Sequence, residues 1–434
     1  MTDAPLWSWQ ELCASLALVP VTGPDVRGIS IDSRTLVAGD LFIAIEGNPG
    51  PRFHSSGSAG RDGHEFVDAA ISAGAAGLLV SKAVNAQVPT LLVPDTLDAL
   101  WQLGAKARER MHGSVIAITG SAGKTTARQW TESLLAAEAD THASTGSLNN
   151  HWGVPLSLAR MPGSVRYGVF EIGTNNPGEI APLSRLVRPD VAILLNVLPA
   201  HLGRFESLDA IRVEKLSIAE GLSPGGTLIL PSGLEHQAVP GVNVVTFGLT
   251  ADADVVGQVR TEGDNALVSV TAGDERYEYW IAAGGEHRVL TSLAVFAALR
   301  AVRADLVRAC EGMAGLTMPG GRGNVVNVAG FSVVDDSYNA NPVSLRHALL
   351  ALREHDGQRV AILGEMLELG EHAAAMHAGL AEHCRGLDGV ITVGEGFADW
   401  PHDLGDRYWG HFDAASGIDL AALRDRLEPG ARVL

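Results

Sequence analysis

The sequence contains very few cysteines for its length. Of 434 residues, only Cys13, Cys310 and Cys384 are cysteines, and they are widely separated and form no Cys-x-x-Cys pair. This spacing argues against a disulfide framework and against a zinc site built on thiolates. The scarcity of cysteine is typical of a protein of a reducing compartment.

Basic residues are also scarce relative to acidic ones. Lysine and arginine total 32 and aspartate and glutamate total 50, which gives a formal net charge of −18 with histidine neutral. Nonspecific binding to nucleic acid or to anionic lipid needs clustered positive charge. The charge balance therefore argues against both classes of partner.

Long apolar runs and internal repeats of fixed period are absent as well. Apolar runs such as Val191–Leu195 are much shorter than the ~20 residues that a membrane span needs. The first ten residues lack a basic segment followed by an apolar one, so we expect no signal peptide. These features predict a cytoplasmic protein without a membrane-spanning segment.

Length and the alternation of elements predict an α/β protein with largely parallel sheets. At about 150 residues per domain, 434 residues suggest three domains. Short β-rich runs alternate with alanine- and leucine-rich helical stretches. We expect domains at 1–112, 113–316 and 317–434, with a predicted helix at His372–Cys384 in the third. The expected strands are Asp40–Ile45, Val115–Thr119, Tyr167–Ile172, Val191–Asn196, Thr227–Leu230, Phe331–Asp335, Arg359–Leu363 and Val390–Val393.

The strongest local motif is Thr119-Gly-Ser-Ala-Gly-Lys-Thr-Thr126, which lies between a predicted strand and a predicted helix. Small residues allow backbone N–H groups to face phosphate oxygens at the positive end of a helix. Lys124 would neutralise the β- and γ-phosphates, and the Thr125 hydroxyl would bind Mg²⁺. Ile118 stands where the usual phosphate loop has its first glycine, so only the shorter Gly-x-x-Gly-Lys-Thr core is present. The motif predicts binding of a nucleoside triphosphate.

Two further residues lie at the carboxyl ends of predicted strands. Glu171 ends one strand, and His201 follows another. Parallel sheets bind ligands at this edge, and a carboxylate there suits Mg²⁺. Taken alone, Glu171 is equally compatible with a surface acid. A lone histidine such as His201 is more often a structural hydrogen-bonding residue than a ligand.

Several motifs together resemble the Mur ligases, which form amide bonds at the expense of ATP. The second region carries the phosphate loop, Gly146–Pro155, Glu171-Ile-Gly, and Ala200-His201 with Lys215 fourteen residues after the histidine. The first region carries Ile31-Asp-Ser-Arg34, Gly39-Asp-Leu-Phe42 and Asp62-Gly-His-Glu-Phe66, which resemble the family's uridine-nucleotide-binding domain. In the third, Asp335–Pro342 and Gly364–Gly370 resemble the branch that adds D-alanyl-D-alanine.

The resemblance implies an activity and three domain roles. The first domain would bind a UDP-N-acetylmuramoyl-tripeptide, the second would bind ATP and Mg²⁺, and the Rossmann-like third would close over the nucleotide. The product would be the pentapeptide precursor of peptidoglycan, with D-alanyl-D-alanine as the incoming amine. The family also implies a monomer.

Site residues follow from the resemblance position by position. For the nucleotide it implies Gly120, Ser121, Ala122, Gly123, Lys124, Thr125, Thr126, Arg322 and Asp336, the last at the ribose. For the metal it implies Thr125, Glu171, His201 and Lys215, with Lys215 carbamylated as in related ligases. Catalytic roles fall on Lys124, His201 and Lys215, and substrate contacts on Ser33, Arg34, Asn149 and Asn150.

The sequence also departs from the family pattern. Ser147 replaces an asparagine, and the usual His-Asn-x-x-Asn near the adenine reads His287-Arg-Val-Leu-Thr291. The segment Asn48–Arg61 is longer than the usual loop, and we expect a surface insertion there. Relatives continue beyond Leu434 with a further strand and helix, so either the sequence is cropped there or the third domain lacks this pair.

Two other functions remain open at this point. One is a sister ligase that adds a single amino acid, as the diaminopimelate-adding and folylpolyglutamate-type enzymes do. The other is a nucleotide- and UDP-sugar-binding protein without turnover. The Asp335–Pro342 motif argues against the first, and the joint presence of Lys124, Glu171, His201 and Lys215 argues against the second.

Overall fold

The structure is a computed structural model, and it describes most of the chain. The described residues are 5–47, 61–199, 204–263, 265–282, 285–367, 369–398, 400 and 403–434. His201 and most of the predicted insertion Asn48–Arg61 therefore lie outside the described residues. Within the described ranges, no helix is both long enough and apolar enough to cross a membrane.

The first sheet has four parallel strands in sequential order. They are β1 (Gly28–Ser30), β2 (Asp40–Ile43), β3 (Gly77–Val80) and β4 (Thr90–Leu92). The helices of this part are α1 (Trp9–Ser15), α2 (Val67–Ser72) and α3 (Thr96–Arg110). Ser8 and Glu11 form a reciprocal capping box that fixes the start of α1. Asp95 caps α3 by accepting hydrogen bonds from two backbone N–H groups.

The middle sheet has nine strands in the order β13-β12-β11-β10-β9-β8-β5-β7-β6. Its strands are β5 (Ser114–Thr119), β6 (Thr141–Ala143), β7 (Tyr167–Glu171), β8 (Val191–Leu194), β9 (Thr227–Pro231), β10 (Asn243–Gly248), β11 (Val255–Glu262), β12 (Asn265–Ala272) and β13 (Glu275–Ala282). Its helices are α4 (Lys124–Ala136), α5 (Gly153–Ala159), α6 (Ile180–Val187), α7 (Leu208–Leu216), α8 (Glu286–Ala301) and α9 (Leu306–Met313). The strands from β6 to β11 in this order are parallel, whereas β11, β12 and β13 are antiparallel neighbours.

Helices cover both faces of the parallel part of this sheet. Ile116 and Ile118 of β5 belong to a core that also contains residues of α4 and α8. Val115 and Ala117 point the other way and pack with residues of α5 and α6. A strand buried on both faces reads as a continuous apolar run, which is why the sequence predicted β5.

The third sheet has six strands in the order β14-β15-β19-β16-β17-β18. They are β14 (Asn324–Val328), β15 (Phe331–Asp335), β16 (Arg359–Gly364), β17 (Gly389–Val393), β18 (Tyr408–Phe412) and β19 (Arg432–Val433), with helices α10 (Pro342–Arg353), α11 (Ala373–Gly379) and α12 (Leu420–Arg426). Strands β14 and β15 form an antiparallel hairpin, and the remaining pairs are parallel. The predicted helix His372–Cys384 is too long, because α11 stops at Gly379 and a 3₁₀ turn, Leu380–Glu382, follows.

The order of the middle sheet determines where a site can form. Strand β5 lies between β7 and β8, with Ile118 opposite Glu171 in one pair and Thr119 opposite Leu194 in the other. The segments that follow these three strands therefore meet at one edge. In open parallel sheets this carboxyl edge is where ligands bind.

Candidate nucleotide and ligase site

The loop after β5 adopts the geometry that the sequence predicted. Strand β5 ends at Thr119, four residues turn, and α4 begins at Lys124. Gly123, the residue before α4, has φ +80°, a left-handed conformation that disfavours a side chain. Ile118 lies in buried β5, so the turn starts only at Gly120. The first turn of α4 therefore presents its backbone N–H groups at this edge of the sheet.

Thr125 and Glu171 are in direct contact at the start of α4. The Thr125 hydroxyl donates to Glu171 Oε2 at 2.8 Å, and Asn149 Nδ2 donates to Glu171 Oε1 at 2.7 Å. Glu171 is only 2% exposed, and its backbone N–H donates to Ser144 Oγ. Both carboxylate oxygens are thus held in place beside the phosphate loop. Sequence reasoning placed Asn149 near the peptide substrate and missed its bond to Glu171.

Two buried or half-buried lysines face this region. Lys124 Nζ donates to the Gly120 carbonyl at 3.0 Å, and burial lowers the pKa of Lys124 against the opposing effect of Glu171. Lys215 is 3% exposed on α7. Burial, together with the neighbouring Lys124 ammonium, lowers the pKa of Lys215 to about 7. Among the described residues, no hydrogen bond or ion pair engages the Lys215 ammonium.

The residue before Lys215 explains how α7 is positioned. Glu214 accepts hydrogen bonds from the backbone N–H groups of Gly178, Glu179 and Ile180 at 2.6, 3.0 and 2.8 Å. These N–H groups form the amino end of α6, where a carboxylate is favoured. Glu214 thereby ties α7 to α6 and fixes the position of Lys215. A sequence search for metal ligands gives no signal for this role.

Asn196 is a second residue that sequence reasoning missed. Its Oδ1 accepts from the Ala122 N–H at 2.9 Å, and its Nδ2 donates to the Ala122 carbonyl at 3.1 Å. The Ser121 hydroxyl also donates to the Leu198 carbonyl at 3.0 Å. The segment after β8 therefore holds the phosphate loop from one side. The only sequence signal was the position of Asn196 at the end of a predicted parallel strand.

The segment before β14 brings a further cation towards the loop. The Arg322 guanidinium lies 4.2 Å from the centroid of the Tyr338 ring, and its charge is among the causes that lower the pKa of Lys124. Burial raises the pKa of Asp336, while Arg288 and Arg322 oppose that rise. Arg322 and Asp336, predicted separately for phosphate and ribose, thus share one neighbourhood with Lys124.

Other predicted substrate residues lie elsewhere or have local partners. Asn150 Oδ1 accepts from the N–H groups of Trp152 and Gly153 and so supports the start of α5. Arg34 is exposed and pairs with Asp32 at 2.6 Å, in the turn after β1 that also contains Ser33. Nothing in the structure tests a substrate role for these residues. His201 lies outside the described residues, so its predicted metal contact stays a prediction.

A cluster of Glu46, Asp62 and His64 beside the first sheet has the composition of a metal site. The Lys82 ammonium, however, lies 2.6 Å from Asp62 and 3.1 Å from Glu46. His64 Nε2 accepts from the Ser81 N–H, so its Nδ1 carries the proton and donates to Asp62. Both ring nitrogens are occupied and a cation already fills the cluster, so we interpret it as an ion-pair network.

Comparison with protein families gives matches over most of the chain. The Mur ligase middle domain matches residues 118–299, and the Mur ligase, glutamate ligase domain matches residues 321–433. The UDP-N-acetylmuramoyl-tripeptide–D-alanyl-D-alanine ligase of Escherichia coli (strain K12) is 34% identical over 387 residues, covering 86% of this chain and 83% of that protein. The enzyme of the same name from Bacillus subtilis (strain 168) is 32% identical over 380 residues, covering 85% and 80%.

Solved structures agree with the sequence relatives. The crystal structure of MurF from Acinetobacter baumannii has a TM-score of 0.84 at 29% identity and covers 98% of this chain and 94% of that one. MurF ligase from Thermotoga maritima in complex with ADP has a TM-score of 0.79 at 28% identity, covering 94% and 93%. The three-domain α/β architecture expected from the sequence is thereby confirmed. With a relative above 30% identity matched over most of both chains, and with the phosphate loop, Glu171 and Lys215 at one sheet edge, this chain belongs to the Mur ligase family.

Proposed function

We propose that this chain is the ligase that joins D-alanyl-D-alanine to UDP-N-acetylmuramoyl-tripeptide, cleaving ATP to ADP and phosphate. The observation that carries the proposal is the convergence of Lys124, Lys215 and Arg322 on the phosphate loop beside Glu171 and Thr125. A carboxylate substrate and a nucleoside triphosphate repel each other, and the cations Lys124 and Arg322 with an adjacent metal ion would offset that repulsion. The relatives matched over most of their length carry the name of this activity.

The residues present fit a magnesium-bound nucleotide. Thr125 offers a hydroxyl oxygen and Glu171 offers a carboxylate, and these hard oxygen donors are the ligands that Mg²⁺ prefers. Magnesium would supply neutralisation of the phosphate charge. Lys215 suits such a site only as a carbamate, because an ammonium repels the cation whereas a carbamate supplies two negative oxygen donors. His201 is proposed as a further ligand on the family pattern alone.

The chemistry proceeds in two steps. The terminal carboxylate of the tripeptide attacks the γ-phosphorus of ATP, ADP leaves, and an acyl phosphate forms. The amine of D-alanyl-D-alanine then attacks the acyl carbon, and the tetrahedral intermediate expels phosphate as the amide forms. Lys124 and Arg322 stabilise negative charge on the transferring phosphoryl group, and closure of the third domain excludes water that would hydrolyse the acyl phosphate.

The remaining assignments belong to the same proposal. Domain boundaries fall near 112/113 and 316/317, with Ser33 and Arg34 at the uridine nucleotide and Asn149 and Asn150 near the peptide. Asp336 contacts the ribose. The enzyme acts as a monomer in the cytoplasm, where its nucleotide-linked substrates are available.

Phosphate release with different amines tests this function directly. The purified protein is mixed with ATP, Mg²⁺ and UDP-N-acetylmuramoyl-tripeptide, and D-alanyl-D-alanine, glutamate or diaminopimelate is added in separate reactions. We expect stoichiometric phosphate release and a product heavier by one dipeptide only with D-alanyl-D-alanine. Equal release with a single amino acid would replace the proposal by a sister ligase. Release with no amine would contradict it.

A further inference from the structure

Arg288 connects the middle sheet region to the third. It is the third residue of α8 and is 8% exposed, although it carries a full charge. Its Nη2 donates to the carbonyl of Gly323 at 2.6 Å, and Gly323 directly precedes β14 of the third sheet. Gly323 has φ +75°, and a Cβ built there would lie 2.8 Å from the same Nη2. The glycine therefore permits the close approach of the guanidinium.

The segment that Arg288 contacts is the one that carries Arg322. Asp335 holds it from the third sheet, because the Gly321 N–H donates to Asp335 Oδ2 at 3.1 Å and the Gly323 N–H donates to the Asp335 carbonyl at 2.7 Å. Arg288 binds the carbonyl of Gly323 from the side of α8. Arg322 therefore lies between two glycines whose backbone groups are held by hydrogen bonds with Asp335 of the third sheet and with Arg288 of α8.

The Arg288 guanidinium also interacts with Asp336. Each group shifts the pKa of the other in the direction expected for an ion pair, which opposes the effect of burial on both. A planar guanidinium can bind a carbonyl and face a carboxylate at the same time, whereas an ammonium on a lysine stem presents a single nitrogen. Arg288 thus links Gly323, which follows Arg322, with Asp336, which directly follows β15.

A second contact lies beside the first. The ring of His287 on α8 stacks on that of His347 on α10, with centroids 5.9 Å apart and planes inclined by 9°. Consecutive residues of α8 therefore both reach elements of the third sheet region. The two contacts together fix the orientation of the third sheet region relative to α8, because a single contact would still allow rotation about itself.

We propose that Arg288 is a positioning residue that holds the third domain in the orientation in which Arg322 faces the phosphate loop. Its contacts are to a carbonyl and to Asp336, so it acts through Arg322 and Asp336. The kinetic consequence rests on the proposed function, but the structural one does not. A displacement of about 1 Å in a charged group at the phosphates is enough to lower turnover about 100-fold.

The test compares Arg288→Met with Arg300→Met. Arg300 lies on the same helix, is more exposed and pairs with Glu275 of the middle sheet, so its loss removes a charge without touching the third domain. Hydrogen–deuterium exchange of the segment 321–338 is measured in the protein without substrates. Steady-state kinetics with ATP, UDP-N-acetylmuramoyl-tripeptide and D-alanyl-D-alanine are measured in parallel.

We expect Arg288→Met to accelerate exchange in 321–338 and to lower kcat/KM for ATP about 100-fold, while KM for the UDP substrate stays unchanged. Arg300→Met should behave as the parent in both measurements. Parent-like exchange and kinetics in Arg288→Met would overturn the proposal, as would an equal rise in KM for the UDP substrate. If Arg288→Met does not fold, Arg288→Lys is the deciding variant. The proposal requires the planar guanidinium group, so parent-like behaviour of the lysine variant contradicts it. If the proposed function is wrong, the parent will show no phosphate release that depends on D-alanyl-D-alanine. The hydrogen–deuterium exchange measurement would still test the structural role of Arg288, because it uses no substrates.

Discussion

We expect the buried Lys215 to lower the stability of the metal-free protein, and replacing it by methionine tests whether its role is functional rather than structural. Burial and Lys124 lower the pKa of Lys215 from 10.5 to about 7. At 1.36 kcal/mol per pH unit, this interval corresponds to at most about 5 kcal/mol. We expect Lys215→Met to stabilise the protein by about 2–5 kcal/mol below pH 7 while abolishing ligase activity.

The stability difference between Lys215→Met and the parent should depend on pH, and the lowered pKa of Lys215 determines its direction. Between pH 7 and 10.5 the unfolded chain keeps the Lys215 proton and the folded chain has lost it, so the unfolded state binds more protons and the parent gains stability as pH rises. The advantage of Lys215→Met should therefore be full below pH 7 and disappear towards pH 10.5. Thermal unfolding in EDTA and bicarbonate-free buffer measures it. The control is Lys106→Met, an exposed lysine of α3 whose loss should change little at any pH.

The same lowered pKa favours the carbamate. At pH 7.5 about three quarters of an amine with a pKa near 7 is neutral, against about 0.1% at the ordinary value, and CO₂ reacts only with the neutral form. We expect acetate or formate to restore part of the activity of Lys215→Ala, because either ion returns a carboxylate to the space. The reasoning is refuted if Lys215→Met is less stable than the parent at pH 6 or if either variant turns over normally.

Three further predictions concern the phosphate loop. Lys124→Ala should lower phosphate release by a factor of about 10² to 10³ and leave UDP-substrate binding intact in calorimetry, whereas loss of both would indicate misfolding. Asn196→Ala removes two hydrogen bonds to Ala122 and should raise KM for ATP about tenfold, whereas Asn243→Ala, which removes an exposed bond to a carbonyl, should leave it unchanged. Gly123→Ala should lower the free energy of unfolding by about 1–2 kcal/mol and weaken ATP binding, whereas Gly273→Ala in the β12–β13 turn should lower it by a similar amount and leave ATP binding unchanged. Equal KM values for ATP in the two asparagine variants would contradict the second prediction, and equal values in the two glycine variants would contradict the third.

The phosphate loop and eight of the strands were predicted because their signals are local; these strands are β2, β5, β7, β8, β9, β15, β16 and β17. Other parallel strands, such as β3 and β10, were not predicted. A run such as Val115–Thr119 is apolar throughout since helices cover both faces, and a Gly-x-x-Gly-Lys-Thr turn follows it. The antiparallel strands β11 and β12 were not predicted, although β12 alternates buried and more exposed residues. The expectation of helices between parallel strands concealed that period-two pattern.

The partners of the site residues could not be predicted from the sequence. Asn149 was placed at the substrate because its motif resembles a substrate segment, but its bond to Glu171 depends on how β7 and the segment before α5 meet in space. The roles of Glu214 and Asn196 could not be predicted either, because each side chain forms hydrogen bonds with backbone groups that are distant in the sequence. Arg288 stood out in the sequence only as a departure from a motif. Its contact with Gly323 depends on where the start of α8 meets the segment before β14 in space.

The central claim is that the tripeptide carboxylate is activated as an acyl phosphate before the dipeptide attacks it. The terminal carboxylate of UDP-N-acetylmuramoyl-tripeptide is labelled with ¹⁸O, and the reaction is run with ATP, Mg²⁺ and D-alanyl-D-alanine. Phosphorus NMR of the released phosphate then reports the label. We predict one carboxylate-derived oxygen in each phosphate, because that oxygen bridges carbon and phosphorus in the intermediate. Unlabelled phosphate, or label in AMP, would contradict the account.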